Sequence, residues 1–308
     1  MNSPLAFIDG AWVEQAKLAI PIYDAGFVLG ATVTEQLRTF HGKLFRLDAH
    51  LDRLLHSLSI CRIDPGHSRR AFGEIAAKVI AHNYPLLADG DDLGMGIFVT
   101  PGVYPAFAGG VESAPTVCAY SYPLPFELWA SKYRRGETVV VSDITQVPAS
   151  CWPPALKCRS RMHYFLADRQ AHATHPGARA ILLDAAGHVC ETSTANVVMF
   201  CESEGLVSPR DGAVLPGISL LTLAALAAQL GIPYRQRDIE REELVAADEL
   251  ILTSTSVCML PVVCCDGWAI GGGVPGKVFQ QLLAAWSTLV GVDIEAQAAR
   301  FADRRSRP

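Results

Sequence analysis

The stretch from Ser219 to Leu230 is helical in pattern and apolar almost all round, and Gly231 and Pro233 close it in the usual order of stop signals. A helix of this kind needs a core around it. Half of the 308 residues are apolar and 19% are charged, enough to enclose one in a globular chain. The length exceeds a typical single domain and predicts two. No apolar run is long enough for a membrane span, and the first ten residues lack the pattern of a signal peptide. A net charge of -5 and a pI near 6.0 speak against nucleic acid as a partner. The basic cluster Arg300, Arg304, Arg305 and Arg307 reads as a solvated end. Nine cysteines without regular spacing read as reduced thiols, predicting a cytoplasmic protein. Cys264-Cys265 has no His or second Cys pair near it, so no metal site is expected.

The pattern along the chain predicts α+β architecture in two domains, a small N-terminal α/β domain and a larger strand-rich C-terminal domain. Leu5–Ile8 and Ala11–Val13 flank Asp9-Gly10 as a hairpin. Apolar residues at 47, 51, 54, 55 and 58 give a helix over 47–60, and 71–82 gives a second, stopped by Asn83 and Pro85. Strands are expected at 96–100 and 116–121. The Pro- and charge-rich run 124–135 divides residues 1–123 from 136–308 as a linker. Beyond it, strands are expected at 137–141, 180–183, 188–190, 197–200, 249–252 and 261–265, with a last helix over about 276–289. Gly271 to Lys277 has P-loop spacing, but Val278 stands where a hydroxyl would bind magnesium and Pro275 removes an amide donor. It reads as a turn into a helix.

Several segments carry chemistry. Lys157, in Pro153-Pro-Ala-Leu-Lys-Cys158, is either an ordinary surface lysine or an amine made nucleophilic by neighbouring cations such as Arg159 and Arg161. Glu191 ends a hairpin and runs into Thr192, Ser193, Thr194 and Asn196. This is a polar sheet edge, or a carboxylate placed to keep an aromatic nitrogen protonated. Leu215-Pro-Gly-Ile218-Ser219 leads into the apolar helix, with Ser219 expected at its cap. Free amides there suit a phosphate. Thr253-Ser-Thr255-Ser256 follows a strand and suits an anion or an ordinary hydroxyl turn. Arg53 shares a helix face with His50 and is either solvated or a phosphate partner.

In this order, these segments resemble the class IV aminotransferases, which include branched-chain aminotransferases, D-amino-acid transaminases and aminodeoxychorismate lyases. The carrying residues are Asp24 to Gly30 with Glu35 and Arg38, Leu44 to Leu54, Ala155-Leu-Lys157, Glu191 to Asn196, Leu215 to Ser219, and Ala247 to Pro261. The resemblance covers nearly the whole chain. It implies the two-domain fold of type IV aminotransferases, a homodimer, and pyridoxal 5′-phosphate as cofactor. It also implies Lys157 as the Schiff-base lysine and proton carrier, and Glu191 with Asn196 at the ring nitrogen. Arg53, Ser219 and Thr255, with the amides of Ile218 and Ser256, would hold the phosphate.

The implied activity exchanges an amino group between an amino acid, branched-chain or otherwise hydrophobic, and a 2-oxo acid. A D-amino-acid transaminase, a lyase of the same fold, and an inactive homologue acting as a binding protein are the alternatives. The sequence departs from the family around the substrate. Met162 stands where branched-chain enzymes have a tyrosine, and Tyr164, seven residues past Lys157, is expected to replace it if both lie on one helix face. Met95 falls at the branched-chain arginine and Thr34 at an aromatic position. Arg38, Arg159 and Arg161 are candidates for a relocated carboxylate contact.

Overall fold

The computed structural model describes residues 3–111 and 113–303; the arginines at 304, 305 and 307 lie outside them. The chain divides into two compact units. One comprises Met1–Leu124 with Leu156–Ser160, the other Pro125–Ala155 with Arg161–Pro308.

The first unit is built on an antiparallel sheet. Asp9 and Gly10, at φ 48° and 83°, make the tight turn between β1 (Leu5–Ile8) and β2 (Ala11–Glu14). The short helix α1 (Ala25–Val28) is capped by Asp24, which accepts from the Gly26 amide and also takes the hydroxyls of Thr100 and Thr116. With β3 (Val33–Phe40), β4 (Lys43–Leu44), β5 (Leu93–Thr100) and β6 (Thr116–Pro123), the strand order is β2-β1-β6-β5-β3-β4. Helices α2 (Leu47–Cys61) and α3 (Arg69–Asn83) cover one face, the latter capped by Ser68. Leu51, Leu54 and Leu58 recur at helical spacing, and Val33, Leu37, Ile97 and Val99 at strand spacing. These two periods meet in one buried cluster.

The second unit runs through α4 (Lys132–Arg135), β7 (Glu137–Val141), α5 (Met162–Thr174), β8 (Arg179–Leu183), β9 (Val189–Thr192), β10 (Asn196–Cys201) and β11 (Gly205–Ser208). It continues with α6 (Ile218–Gln229), β12 (Tyr234–Gln236), α7 (Arg241–Ala246), β13 (Glu249–Ser254), β14 (Cys258–Cys265), β15 (Trp268–Ala269), α8 (Lys277–Val290) and α9 (Ile294–Arg300). Strands β10-β13-β14-β7-β8-β9 are consecutive neighbours, and the pairing of Glu191 on β9 with Asn196 on β10 closes the ring. Val139, Ile181, Val197, Leu252 and Val262 belong to one buried cluster of this ring.

Two expectations differ from these observations. The stretch expected as a linker holds a 3-10 turn at Phe126–Leu128 and helix α4, with Phe126 and Tyr133 buried and the Tyr133 hydroxyl donating to the Val257 carbonyl at 2.7 Å. Helix α6, apolar all round in sequence, is not enclosed all round: Leu221 keeps 60% of its surface exposed. By contrast, Gly271 to Lys277 is a turn into α8, whose Val278 and Phe279 amides donate to the Glu249 carboxylate.

Candidate functional site

In the first unit the lysine segment runs alongside β3, joined to it by an isolated bridge. The Thr34 amide donates to the Lys157 carbonyl at 3.0 Å, the Arg159 amide donates to the Thr32 carbonyl at 2.9 Å, and Cys158 bridges Val33. On the other side of the peptide, the Lys157 amide donates to Ser57 Oγ on α2 at 3.2 Å. Two elements thus fix the lysine's backbone.

The same helix carries a buried charge cluster. Glu35 on β3 is fully buried. Arg53 donates to both of its oxygens, Nε at 2.7 Å and Nη2 at 2.9 Å, and His50 Nδ1 lies 2.8 Å from Oε2. Burial opposes the Glu35 charge, but Arg53 and His50 outweigh it and hold the carboxyl at about 2. His50 is pushed below its ordinary value, chiefly by burial, with the nearby Arg53 and Lys157 charges acting in the same direction. The site therefore contains a neutral imidazole beside two cations. Two of the Arg53 donors serve Glu35, a pairing that no local pattern announces.

The substrate candidates separate. Thr34 is buried, its hydroxyl donating to the Ile97 carbonyl. It shares a sheet face with Gln36, Phe98, Tyr120 and Tyr122, since alternate residues of paired strands point the same way. Gly94 and Gly96 lie under the rings of Tyr122 and Tyr120, where any Cβ would come within 2.4 and 2.6 Å of a ring carbon. Met95 corrects the expectation of a substrate contact: it faces the helices and is completely buried in the apolar cluster. Arg38 lies on the same sheet face as Thr34 and Gln36; it is 1% exposed, with its guanidinium over the Phe40 ring at 3.9 Å and Nε donating to the Thr39 carbonyl. Arg159 is exposed.

In the second unit Glu191 is the centre. Tyr164 donates its hydroxyl to Glu191 Oε1 at 2.8 Å, Gln146 Nε2 donates to the same oxygen at 3.1 Å, and Asn196 Nδ2 donates to Oε2 at 3.3 Å. Burial, and then the Glu191 charge, push the Tyr164 phenol well above its ordinary value. Lys157 lies outside any helix and α5 begins only at Met162, so the expectation that Lys157 and Tyr164 share a helix face is corrected. Arg161 precedes α5 and lies over the Tyr164 ring at 4.5 Å.

Asn196 also donates to the Leu215 carbonyl at 2.9 Å, joining β10 to the turn that enters α6. The cap of α6 is Gly217, not Ser219, and no side chain caps it. A Cβ at Gly217 would lie 2.0 Å from Asn196 Oδ1, so the close approach of this side chain demands glycine. Ile218 and Ser219 are the first helical residues, and their position presents main-chain amides at the helix N-terminus. Thr253 pairs with Asn196, and its buried hydroxyl has no partner among the described residues. Thr255 and Ser256 form the turn from β13 to β14. An uncapped helix start beside an orphaned buried hydroxyl fits a phosphate group, and a carboxylate surrounded by donors fits a protonated ring nitrogen.

Sequence reasoning missed Gln146, Ser57 and Thr253. Gln146 and Ser57 sit in no motif and matter only through neighbours distant in sequence. Thr253 was visible in its hydroxyl run, but nothing in that run marks which hydroxyl is buried without a partner. Among the described residues there is no group of metal ligands and no helix long and apolar enough to cross a membrane.

Comparison with known proteins gives a consistent result. Residues 32–265 match the family described as amino-transferase class IV. The D-alanine aminotransferase of Bacillus licheniformis is 27% identical over 278 residues, covering 90% of this chain and 94% of that protein. That of Staphylococcus haemolyticus is 26% identical over 283 residues, with the same coverage. Among solved structures, the branched-chain amino acid aminotransferase of Escherichia coli superimposes with a TM-score of 0.85 at 24% identity, covering 94% of this chain and 95% of that one. The branched-chain amino acid aminotransferase of T.th., solved with pyridoxamine 5′-phosphate, gives 0.83 at 21% identity and the same coverage.

Proposed function

The chain belongs to the class IV aminotransferases, a family of pyridoxal-phosphate-dependent enzymes, and we propose that it exchanges the amino group of a hydrophobic amino acid with a 2-oxo acid. The observation that carries this reading is the setting of Lys157. Its peptide is fixed on both sides by Thr34 and Ser57, and its charge acts on the buried, neutral His50.

Bound pyridoxal 5′-phosphate supplies a protonated pyridine ring that takes up negative charge developing at the substrate's Cα. Lys157 would be the amine that anchors it, and its Nζ would carry the proton lost from the substrate's Cα. Glu191 holds the proton at the ring nitrogen, an assignment supported by the three donors that keep the carboxylate an acceptor. The amides of Ile218 and Ser256, with the Ser219 and Thr255 hydroxyls, would hold the phosphate. Arg53 adds positive charge while remaining paired with Glu35.

A hydrophobic substrate side chain is supported by the aromatic face beside Thr34, lined by Phe98, Tyr120 and Tyr122. A D-amino acid is the second reading, favoured by the names of the D-alanine relatives. A homodimer is supported by an exposed apolar patch on the first unit. Ile22, Phe27 and Leu29 lie on a segment hydrogen-bonded to that of Phe107, and all four are more than half exposed. The test is spectral: purified protein titrated with L- and D-amino acids should convert its bound cofactor to the pyridoxamine form with hydrophobic donors, and Lys157→Ala should not. Wild-type protein that stays colourless after loading with pyridoxal phosphate rules the proposal out.

A further inference from the structure

The hydroxyl of Tyr164 is committed to a carboxylate. It donates to Glu191 Oε1 at 2.8 Å and accepts from Gln146 Nε2 at 2.7 Å, while Gln146 Nε2 also reaches Glu191 Oε1 at 3.1 Å. The three groups form a closed triangle drawn from the β7–α5 connection, α5 and β9. The orientation of the side-chain amide is settled by its other end, because Gln146 Oε1 accepts from the Val147 main-chain amide at 3.0 Å. Both N–H bonds of Nε2 are therefore available to the pair, and the hydroxyl hydrogen of Tyr164 has Glu191 as its acceptor.

We propose that Tyr164, seated by Gln146, is the positioning residue that fixes the Glu191 carboxylate in the orientation and ionised form its task at the cofactor ring requires. This rests on the reading of Glu191 given above. The phenol keeps its proton through the working pH range, since burial and the Glu191 charge both disfavour its ionised form. Arg161 over the ring at 4.5 Å acts the other way but more weakly, and His163, its ring 4.0 Å from that of Tyr164, is held below its ordinary value by burial and by Arg161. A phenol locked as a donor and an amide locked as a donor leave Glu191 Oε1 only the role of acceptor. A carboxylate so held resists protonation and cannot swing.

The experiment compares wild type, Tyr164→Phe and Gln146→Met as holoenzymes. The readouts are the pH midpoint of the bound cofactor's visible absorption, the Kd of pyridoxal phosphate for the cofactor-free protein, kcat and KM, and the thermal midpoint. Both variants should shift the pH midpoint, weaken pyridoxal phosphate about tenfold and lower kcat by a similar factor, as expected for one lost charge-assisted hydrogen bond. KM for the amino donor and the thermal midpoint should stay close to wild type. If Tyr164→Phe loses its fold, Gln146→Met, which leaves the ring packing untouched, decides by the same readouts. Unchanged pH midpoint and Kd in the folded variants overturn the positioning role while leaving the proposed function intact. Wild-type protein that takes up no pyridoxal phosphate overturns both.

Discussion

Glu35 has no exposed surface, yet Arg53 and His50 keep it ionised. Its carboxyl sits at about 2 in place of the usual 4.5, so folding favours its charged form. The stability this confers is complete above about pH 4.5 and is lost as pH falls toward 2, on the order of 3 kcal/mol. His50 has the same sign for a different reason. Its folded-state value is lowered, so the unfolded chain takes up a proton first as pH falls below the ordinary 6.5. Urea midpoints should therefore decline continuously from about pH 6.5 downward, and Glu35→Gln should flatten the lower part of that decline. At neutral pH the same substitution leaves Arg53 buried beside an uncharged group and should cost about 3–5 kcal/mol, measured by equilibrium unfolding. A pH-independent urea midpoint in the wild type would remove this account of the cluster.

At the scale of elements, the entry to α6 shows how a neighbour overrides a local signal. Ser219 has the chemistry of a cap, but the helix already begins at Ile218, directly after Gly217, where Asn196 Oδ1 fills the space that a side chain at 217 would need. Gly217→Ala should cost about 1–3 kcal/mol in thermal unfolding, since β10 and the turn must separate to admit a methyl group. It should also weaken pyridoxal phosphate binding, and an unaltered affinity would mean that this turn does not hold the phosphate. Ser68→Ala at the start of α3 is the contrasting case. Its hydroxyl accepts from the Ala71 amide at the surface, and its loss should cost about 1 kcal/mol with no effect on cofactor affinity. Helices α2 and α3, strand β7 and the β1–β2 hairpin were legible because each satisfies a local rule of spacing, capping or turn chemistry. Strands β11 and β12 and helix α9 were not, being too short to show a period.

For the whole molecule, the proposed dimer gives a direct prediction. Ile22, Phe27, Leu29 and Phe107 are exposed by 77, 73, 59 and 66%, a concentration of apolar surface that a soluble monomer rarely presents. Sedimentation should return a dimer, and Phe27→Asp with Phe107→Asp should shift it to monomer. A monomeric wild type would require another partner for this surface. Length and the change to strand-rich sequence led to the expectation of two domains, but not to placing Leu156–Ser160 with residues from the first half, because a short segment leaves no composition signal when it pairs with a distant strand.

The sequence alone determined what can be read within one turn of helix or two strands and a hairpin. That includes many of the element types, the buried face of α2, and the order of residues that resembles the family. Lys157, Arg53 and Glu191 were visible in this way. Only the tertiary structure decided what each is bound to: Arg53 to Glu35, Lys157 to Ser57, and Glu191 to Tyr164 and Gln146. It also placed Met95 in the core, away from the substrate role its position suggested. The physical reason is range. Hydrophobic periodicity records which way a side chain faces, whereas a hydrogen bond between residues 45 positions apart, as from Gln146 to Glu191, depends on strand order and leaves no local pattern.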